Sequence, residues 1–279
     1  MRASRERYVL GLRQAALASL VAWLLMVPAA SAEEDTFRVS VLGDSVAAGF
    51  GIDVSRAKVA RCAATIFGLG RPTGACDNHD AAWPARFGAG LSSGQTDGLP
   101  VVVDNQAIAG AQTGNFMPRK RLSGRVDHVI AQDPDVVLIT LGANDILSSP
   151  RCATNGRCVT RRLRAKHTNA NLTALFKRLD RGTGADIYIT EYYYLDQDLS
   201  SAVEQLNDVI DRAARPFGTE SVSVVNPPAF RGHGCRIRGS GSWMLPPTKD
   251  ICLHPNAIGQ QKLANAALAT FSIQNPTNR

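Results

Sequence analysis

Phe37-Arg38-Val39-Ser40-Val41-Leu42-Gly43-Asp44-Ser45 opens on a short, nearly continuous apolar run and closes on a glycine, an acid and a serine. A run of this length and character is what a strand buried on both faces of a parallel sheet requires, because helices cover such a sheet on either side. Four more runs of the same kind occupy residues 101–104, 135–141, 186–190 and 221–225. The stretches between them carry helical spacing. Residues 163–179 place Leu163, Leu172, Leu175, Phe176 and Leu179 near one face; residues 200–214 do the same with Val203, Leu206, Val209 and Ile210. Residues 256–271, opening after Pro255, carry Ile258, Leu263, Ala267 and Leu268. Strands alternating with helices predict a three-layer α/β/α sandwich around a five-stranded, mainly parallel sheet. Residues 50–99, rich in Gly, Ser and Asp, are the least regular and read as a surface excursion.

The chain has 279 residues, 44% hydrophobic and 20% charged, enough for one substantial core. With 24 Gly and 14 Pro it is neither collagen-like nor a proline-rich disordered chain. A net charge of +7 invites anionic partners, but read by position part of it falls in an address label rather than a domain. Residues 1–32 have the form of a signal peptide: Arg2, Arg5, Arg7 and Arg13 precede the uncharged run 15–27, and Ala30-Ser31-Ala32 supplies the cleavage pattern. The run is shorter than the roughly 20 residues needed to span a bilayer. No cysteine precedes Cys62 and no arginine pair precedes the run, so a lipidated N-terminus and a twin-arginine signal are not expected. Export leaves 33–279 as a single domain, with all six cysteines and a net charge of +4. The expected location is therefore extracellular or periplasmic.

Ser45 stands just past the carboxyl end of the first strand, where α/β sheets collect functional residues. Gly43 permits a tight turn, and a serine there opens a helix whose amides favour developing negative charge. Taken alone, it reads more readily as an N-cap serine than as a catalytic one. Three partners change that balance. Asn105-Gln106-Ala107-Ile108-Ala109-Gly110-Ala111 follows the second strand, Leu141-Gly142-Ala143-Asn144-Asp145 the third, and Cys252-Leu253-His254-Pro255-Asn256 precedes the last helix.

This ordered set resembles the SGNH, or GDSL-type, hydrolase family over residues 38–271, and the resemblance implies the flavodoxin-like fold of those enzymes. Carried over residue by residue, it makes Ser45 the nucleophile and His254 its general base. The oxyanion hole would comprise the amide of Ser45, the amide of Gly110 and the side chain of Asn144. The chemistry is consistent: a serine hydroxyl attacks only when an imidazole takes its proton, and the tetrahedral intermediate needs preorganised donors. One departure stands out. Where the family usually has an Asp three residues before the histidine, this chain has Ile251, and the nearest acid is Asp250. Some secreted relatives hold the ring with a main-chain carbonyl, which here would be that of Ile251. A Ser–His dyad is favoured, with an Asp250 triad left open. No role is assigned to His128 or His167, and that of His233 stays open.

Six cysteines allow fifteen pairings, and spacing does not choose among them. Pairing within the couples Cys62–Cys76, Cys152–Cys158 and Cys235–Cys252 needs the least rearrangement, and this layout resembles secreted bacterial members of the family. Cys76-Asp77-Asn78-His79 mimics ligand spacing, but no second cluster completes a zinc site, so no metal or other cofactor is expected.

Ester hydrolysis is thus expected. A lipase or carboxylesterase leads, with phospholipase and carbohydrate O-deacetylase as alternatives on the same site, and a noncatalytic lipid- or carbohydrate-binding module as a different class. The expected partner is a small-molecule or lipid ester, bound by a monomer. Arg119-Lys120-Arg121 and the cluster Arg157, Arg161, Arg162, Arg164 and Lys166 allow transient membrane-surface contact, although charge runs are usually solvated faces. Tyr192-Tyr193-Tyr194 follows a strand, where flanking the cleft is more natural than stacking bases, so nucleic acid is not expected. Trp243-Met244-Leu245-Pro246-Pro247 lines an acyl pocket or packs under a loop. The Asn171-Leu172-Thr173 sequon falls in a predicted helix, and its glycosylation is not expected.

Overall fold

A computed structural model describes residues 35–55, 57–59, 62, 74–148, 155–193, 197–234, 241–246 and 253–274. All the elements below belong to the unit Thr36–Arg279. The strands are β1 (Phe37–Gly43), β2 (Val101–Asn105), β3 (Val136–Thr140), β4 (Asp186–Thr190) and β5 (Val222–Val225), all parallel, in the order β2-β1-β3-β4-β5. Each lies within one residue of an apolar run. The register aligns Gly43 with Thr140 and Thr190 with Val225, so the carboxyl ends share one edge of the sheet.

The helices are α1 (Trp83–Gly90), α2 (Ser123–Gln132), α3 (Ala143–Leu147), α4 (Gly156–Ala165), α5 (Thr168–Gly182), α6 (Gln197–Ala214) and α7 (Ala257–Gln274). Successive strand residues point to opposite faces, and both faces of this sheet are covered. On one, α1 packs against α7, and Phe271 of α7 meets the rings of Phe37, Phe87 and Tyr188 at 6.4, 5.9 and 5.9 Å. On the other, α2, α5 and α6 lie side by side, with Ser40 of β1 donating to Gln132 at the end of α2 at 3.1 Å. This is the three-layer sandwich, with all of Val136, Val137, Leu138 and Ile139 buried at its centre.

Two expectations fail locally. The single helix over 163–179 is broken into α4 and α5 at His167, whose φ is 54°. The cause is Thr168: it is fully buried and donates from Oγ1 to Asp145 at 3.3 Å, a contact that a straight continuation of α4 would forfeit. Residues 50–99 are not merely a surface excursion either, since Phe50, Ile52, Trp83 and Phe87 are buried in it. Trp83 is locked in place: its backbone N–H donates to Gln260 Oε1 at 2.8 Å and its indole N–H to Thr140 Oγ1 at 3.2 Å. Trp83→Ala should therefore cost about 3–5 kcal/mol of stability, read as a lower urea midpoint at unchanged slope.

Candidate active site

β1 ends at Gly43, where a Cβ would lie 2.7 Å from the carbonyl oxygen of Thr140; only glycine lets the chain turn this close to β3. Residues 45–53 then form successive turns rather than the expected regular helix, with Ala48 N–H donating to Asp44 O and Phe50 N–H to Ser45 O, both at 3.0 Å. Ser45 is therefore not the N-cap of an α-helix. Its Oγ lies 2.7 Å from Nε2 of His254, a residue 209 positions away, and the two side chains are buried together.

The histidine loop is braced from several directions. Leu245 N–H donates to the His254 carbonyl at 2.8 Å, Met244 bridges to Pro255, and Asn256 Nδ2 donates to the carbonyls of Ser242 and Met244. Tyr193 O–H donates to the Leu253 carbonyl at 2.5 Å, and the Phe50 ring tilts against the imidazole at 4.9 Å. The Trp243 to Leu245 run thus packs beneath the loop and supports the imidazole from behind. His233 stacks on Trp243 at 3.7 Å and belongs to this brace. Asp250 and Ile251, the two expected imidazole orienters, lie outside the described residues, as do Cys152, Cys235 and Cys252. Cys62 and Cys76 are bridged, with an S–S distance of 2.01 Å.

Gly110 and Asn144 are linked through Ala111. Gly110 sits at φ 83°, in a loop held by Ala109 N–H donating to Asp77 Oδ2 at 3.1 Å. Asn144 lies in α3 and donates from Nδ2 to the carbonyl of Ala111 at 3.0 Å, which ties the two donors together. Among the described residues, the backbone N–H groups of Ser45 and Gly110 have no acceptor, an uncommon state for buried amides and the one an oxyanion hole needs. Asp145 underpins the arrangement by accepting from Thr113 N–H at 3.0 Å and Thr113 Oγ1 at 2.8 Å; burial pushes its carboxyl above the usual range.

The pairing of Asp44 with Tyr192 escaped the sequence reading. Asp44, wholly buried beside Ser45, accepts from Val46 N–H at 3.0 Å and from the phenol of Tyr192. Burial raises its carboxyl to about 6 despite both bonds. The Tyr192 phenol, pushed well above its ordinary value by burial and by Asp44, stays a donor, and its oxygen accepts from Ala143 N–H at 3.2 Å. Asn207 pins the tyrosine backbone with two hydrogen bonds of 2.9 Å. Tyr192 thus couples the turn bearing Ser45 to the helix bearing Asn144.

Tyr192→Phe should cost about 1.5–3 kcal/mol at pH 8, the usual loss for a hydrogen bond to a charged group. The sign with pH follows from Asp44. Tyr192 lowers its pKa, so the loss is greatest when the carboxyl is ionised and shrinks as pH falls through about 6. Urea unfolding of both proteins at pH 8 and pH 5 reads the difference, and an equal loss at the two values refutes the coupling.

Beside Ser45 and His254 opens an apolar cavity of about 70 Å³, walled by Ile146 and Leu147 of α3 and by Leu199, Ala202, Val203 and Leu206 of α6. Tyr192 and Tyr193 complete it, flanking the cleft as their position after a strand suggested. Gly142, at φ 137°, admits Leu206 so closely that a Cβ would sit 2.9 Å from its Cδ1. The helical spacing of α6 does not by itself mark Val203 and Leu206 as cavity walls. Among the described residues, no group of three or more His, Cys, Asp or Glu is placed to hold a metal ion, and no helix is long and apolar enough to cross a membrane.

The model of the GDSL-like lipase/acylhydrolase family matches residues 41–262. The chain belongs to that family. This GDSL-like acylhydrolase is a carboxylic ester hydrolase, and its substrates are small-molecule esters. No curated protein sequence matches it. Its fold is similar to that of the lipase Lip_vut3 from a goat rumen metagenome, with a TM-score of 0.56 at 15% identity over 84% of this chain and 97% of that one. It is also similar to a mutant of Axe2, an acetyl-xylooligosaccharide esterase from Geobacillus stearothermophilus, with a TM-score of 0.54 at 20% identity over 86% and 96% of the two chains. The esterase EstA from Pseudoalteromonas sp. gives a TM-score of 0.50 at 20% identity over 85% and 97%.

Proposed function

We propose that this GDSL-like acylhydrolase is an exported lipase or carboxylesterase that works through a Ser45 acyl-enzyme. The carrying observation is the 2.7 Å contact between Ser45 Oγ and His254 Nε2 at the mouth of an aliphatic cavity. His254 takes the Ser45 proton as Oγ attacks the ester carbonyl; the amides of Ser45 and Gly110 and the Asn144 side chain receive the oxyanion. The imidazolium returns the proton to the leaving alcohol, and water repeats the sequence to release the acid. Asp44 and Asp145 position these groups from beneath, and Tyr192 does so while also walling the cavity.

An engineered apolar cavity of ~150 Å³ admits benzene. A cavity of about 70 Å³, less than half that volume, therefore suits a short acyl chain. Deacetylation of carbohydrate is the second reading, favoured by the fold shared with an acetyl-xylooligosaccharide esterase. The aliphatic walls speak against it, since an acetyl group needs no such depth. Residues 1–32 act as the leader in this reading, 33–279 form one monomeric domain, and the remaining cysteines close Cys152–Cys158 and Cys235–Cys252.

The test is a serine-directed fluorophosphonate with parallel hydrolysis of p-nitrophenyl esters of graded length. Labelling and hydrolysis should both vanish in Ser45→Ala, and butyrate should be cleaved faster than acetate. Persistent labelling of the variant would exclude Ser45, and a preference for acetate would favour the deacetylase.

A further inference from the structure

The cations of this chain are not spread evenly. Residues 105–126 and 146–179 together hold twelve Lys and Arg and not one Asp or Glu, whereas the rest of 36–279 holds fifteen cations and twenty acids. The two acid-free stretches meet in space. Lys166 at the end of α4 donates to Gln112 Oε1 at 3.1 Å, and Asn171 of α5 donates to Thr113 Oγ1 at 3.1 Å. They also border the active site. Gln112 lies two residues beyond Gly110, and Arg162 of α4 donates to Ser148, the cap of the helix whose Ile146 and Leu147 wall the cavity.

Within this ridge, α4 buries Val159 and Leu163 and leaves Arg157, Arg161 and Arg164 exposed. Their spacing of four and three residues puts them in one stripe, where like charges destabilise a helix, and Arg157 stands in its first turn, the unfavourable end for a cation. Arg164 lies in the last turn, where the helix favours a cation, but helix stability does not account for Arg157 and Arg161. Arg119 and Lys120, in the same acid-free stretch as Gln112, are exposed as well. Its limits are also visible: Asp208 of α6 shares a groove with Arg164 and Arg212, and Arg178 at the other end of α5 is paired with Asp127.

We infer that this basic ridge docks the enzyme on an anionic lipid surface and presents the aliphatic cavity to it. The inference rests on the reading of the cavity as an acyl site. A substrate with an apolar tail and an anionic head matches the juxtaposition of aliphatic cavity and cationic rim, whereas an anionic polysaccharide matches only the rim. Electrostatic attraction of clustered cations to acidic lipid is steeply sensitive to charge number and salt.

The experiment uses Ser45→Ala protein, so that lipid is bound without turnover, and co-sedimentation with vesicles of phosphatidylcholine containing about 30% phosphatidylglycerol at ~0.1 M salt. Partitioning onto these vesicles should exceed that onto pure phosphatidylcholine at least ~10-fold. It should fall on the order of 10²-fold when Arg157→Gln, Arg161→Gln and Arg164→Gln are combined, and further with Arg119→Gln and Lys120→Gln. The same substitutions in active enzyme should leave hydrolysis of soluble p-nitrophenyl butyrate unchanged, which also certifies the fold. Equal partitioning of parent and variants, or equal partitioning onto neutral and anionic vesicles, overturns the inference. So does retention on polygalacturonate without binding to anionic vesicles, which would assign the ridge to a carbohydrate polyanion. A failure of the serine mechanism looks different: soluble-ester hydrolysis would survive Ser45→Ala while the vesicle contrast stood.

Discussion

His254→Ala should lower kcat on a soluble ester by on the order of 10⁶, with KM little changed, because without the imidazole the serine proton has nowhere to go. Among the described residues, no other histidine lies on Ser45 Oγ. His254 Nε2 is 2.7 Å from Ser45 Oγ, and of the nearby buried acids Asp44 and Asp145 are occupied by donors of their own. Steady-state kinetics on p-nitrophenyl butyrate, with unfolding checked in parallel, gives the number, and a loss below ~10³ would mean that another group takes the proton. The companion change is Asp250→Asn. If the Ile251 carbonyl holds the ring, activity is nearly kept; if Asp250 completes a triad, kcat falls by about 10⁴, because the imidazole adopts the wrong tautomer.

The fold was legible because strand burial writes itself locally. Residues 186–190, read as an apolar run, are β4 to the residue, and the remaining strands differ by at most one position at either end. What the pattern missed depended on contacts distant in sequence. The break at His167 is made by Thr168 reaching Asp145, 23 residues back, and no helical periodicity records such a pull. Trp83 joins the core by bonding Thr140 and Gln260, 57 and 177 residues away, from a stretch diluted in Gly and Ala. The site divided along the same line. Ser45, Gly110, Asn144 and His254 stood in recognisable motifs after strands or before a helix. Asp44 lay inside the same motif as Ser45, but its purpose is set by Tyr192, 148 residues on, and was invisible without the fold. The cavity walls were hidden for another reason: Leu206 facing a substrate and Leu206 facing the core have one and the same helical spacing.

Asn144→Ala should lower kcat by about 10²–10³, the usual loss for one oxyanion donor. The residue has two tasks, and the result must separate them. Its Nδ2 also holds the Ala111 carbonyl at 3.0 Å, so alanine loosens the loop carrying Gly110 as well as removing a donor. Loosening alone would act on ground state and transition state alike, raising KM and lowering stability. Loss of the donor acts only where negative charge develops, so kcat and the rate of phosphonate inactivation should fall together while KM holds. Asn144→Asp sharpens the contrast. It preserves shape, but it replaces the donor with an acceptor that is charged when ionised and repels the oxyanion, so it should be at least as damaging as alanine. A variant with Asp that outperforms the Ala variant would show that Asn144 serves as a brace. In that case the amides of Ser45 and Gly110 would stabilise the intermediate by themselves.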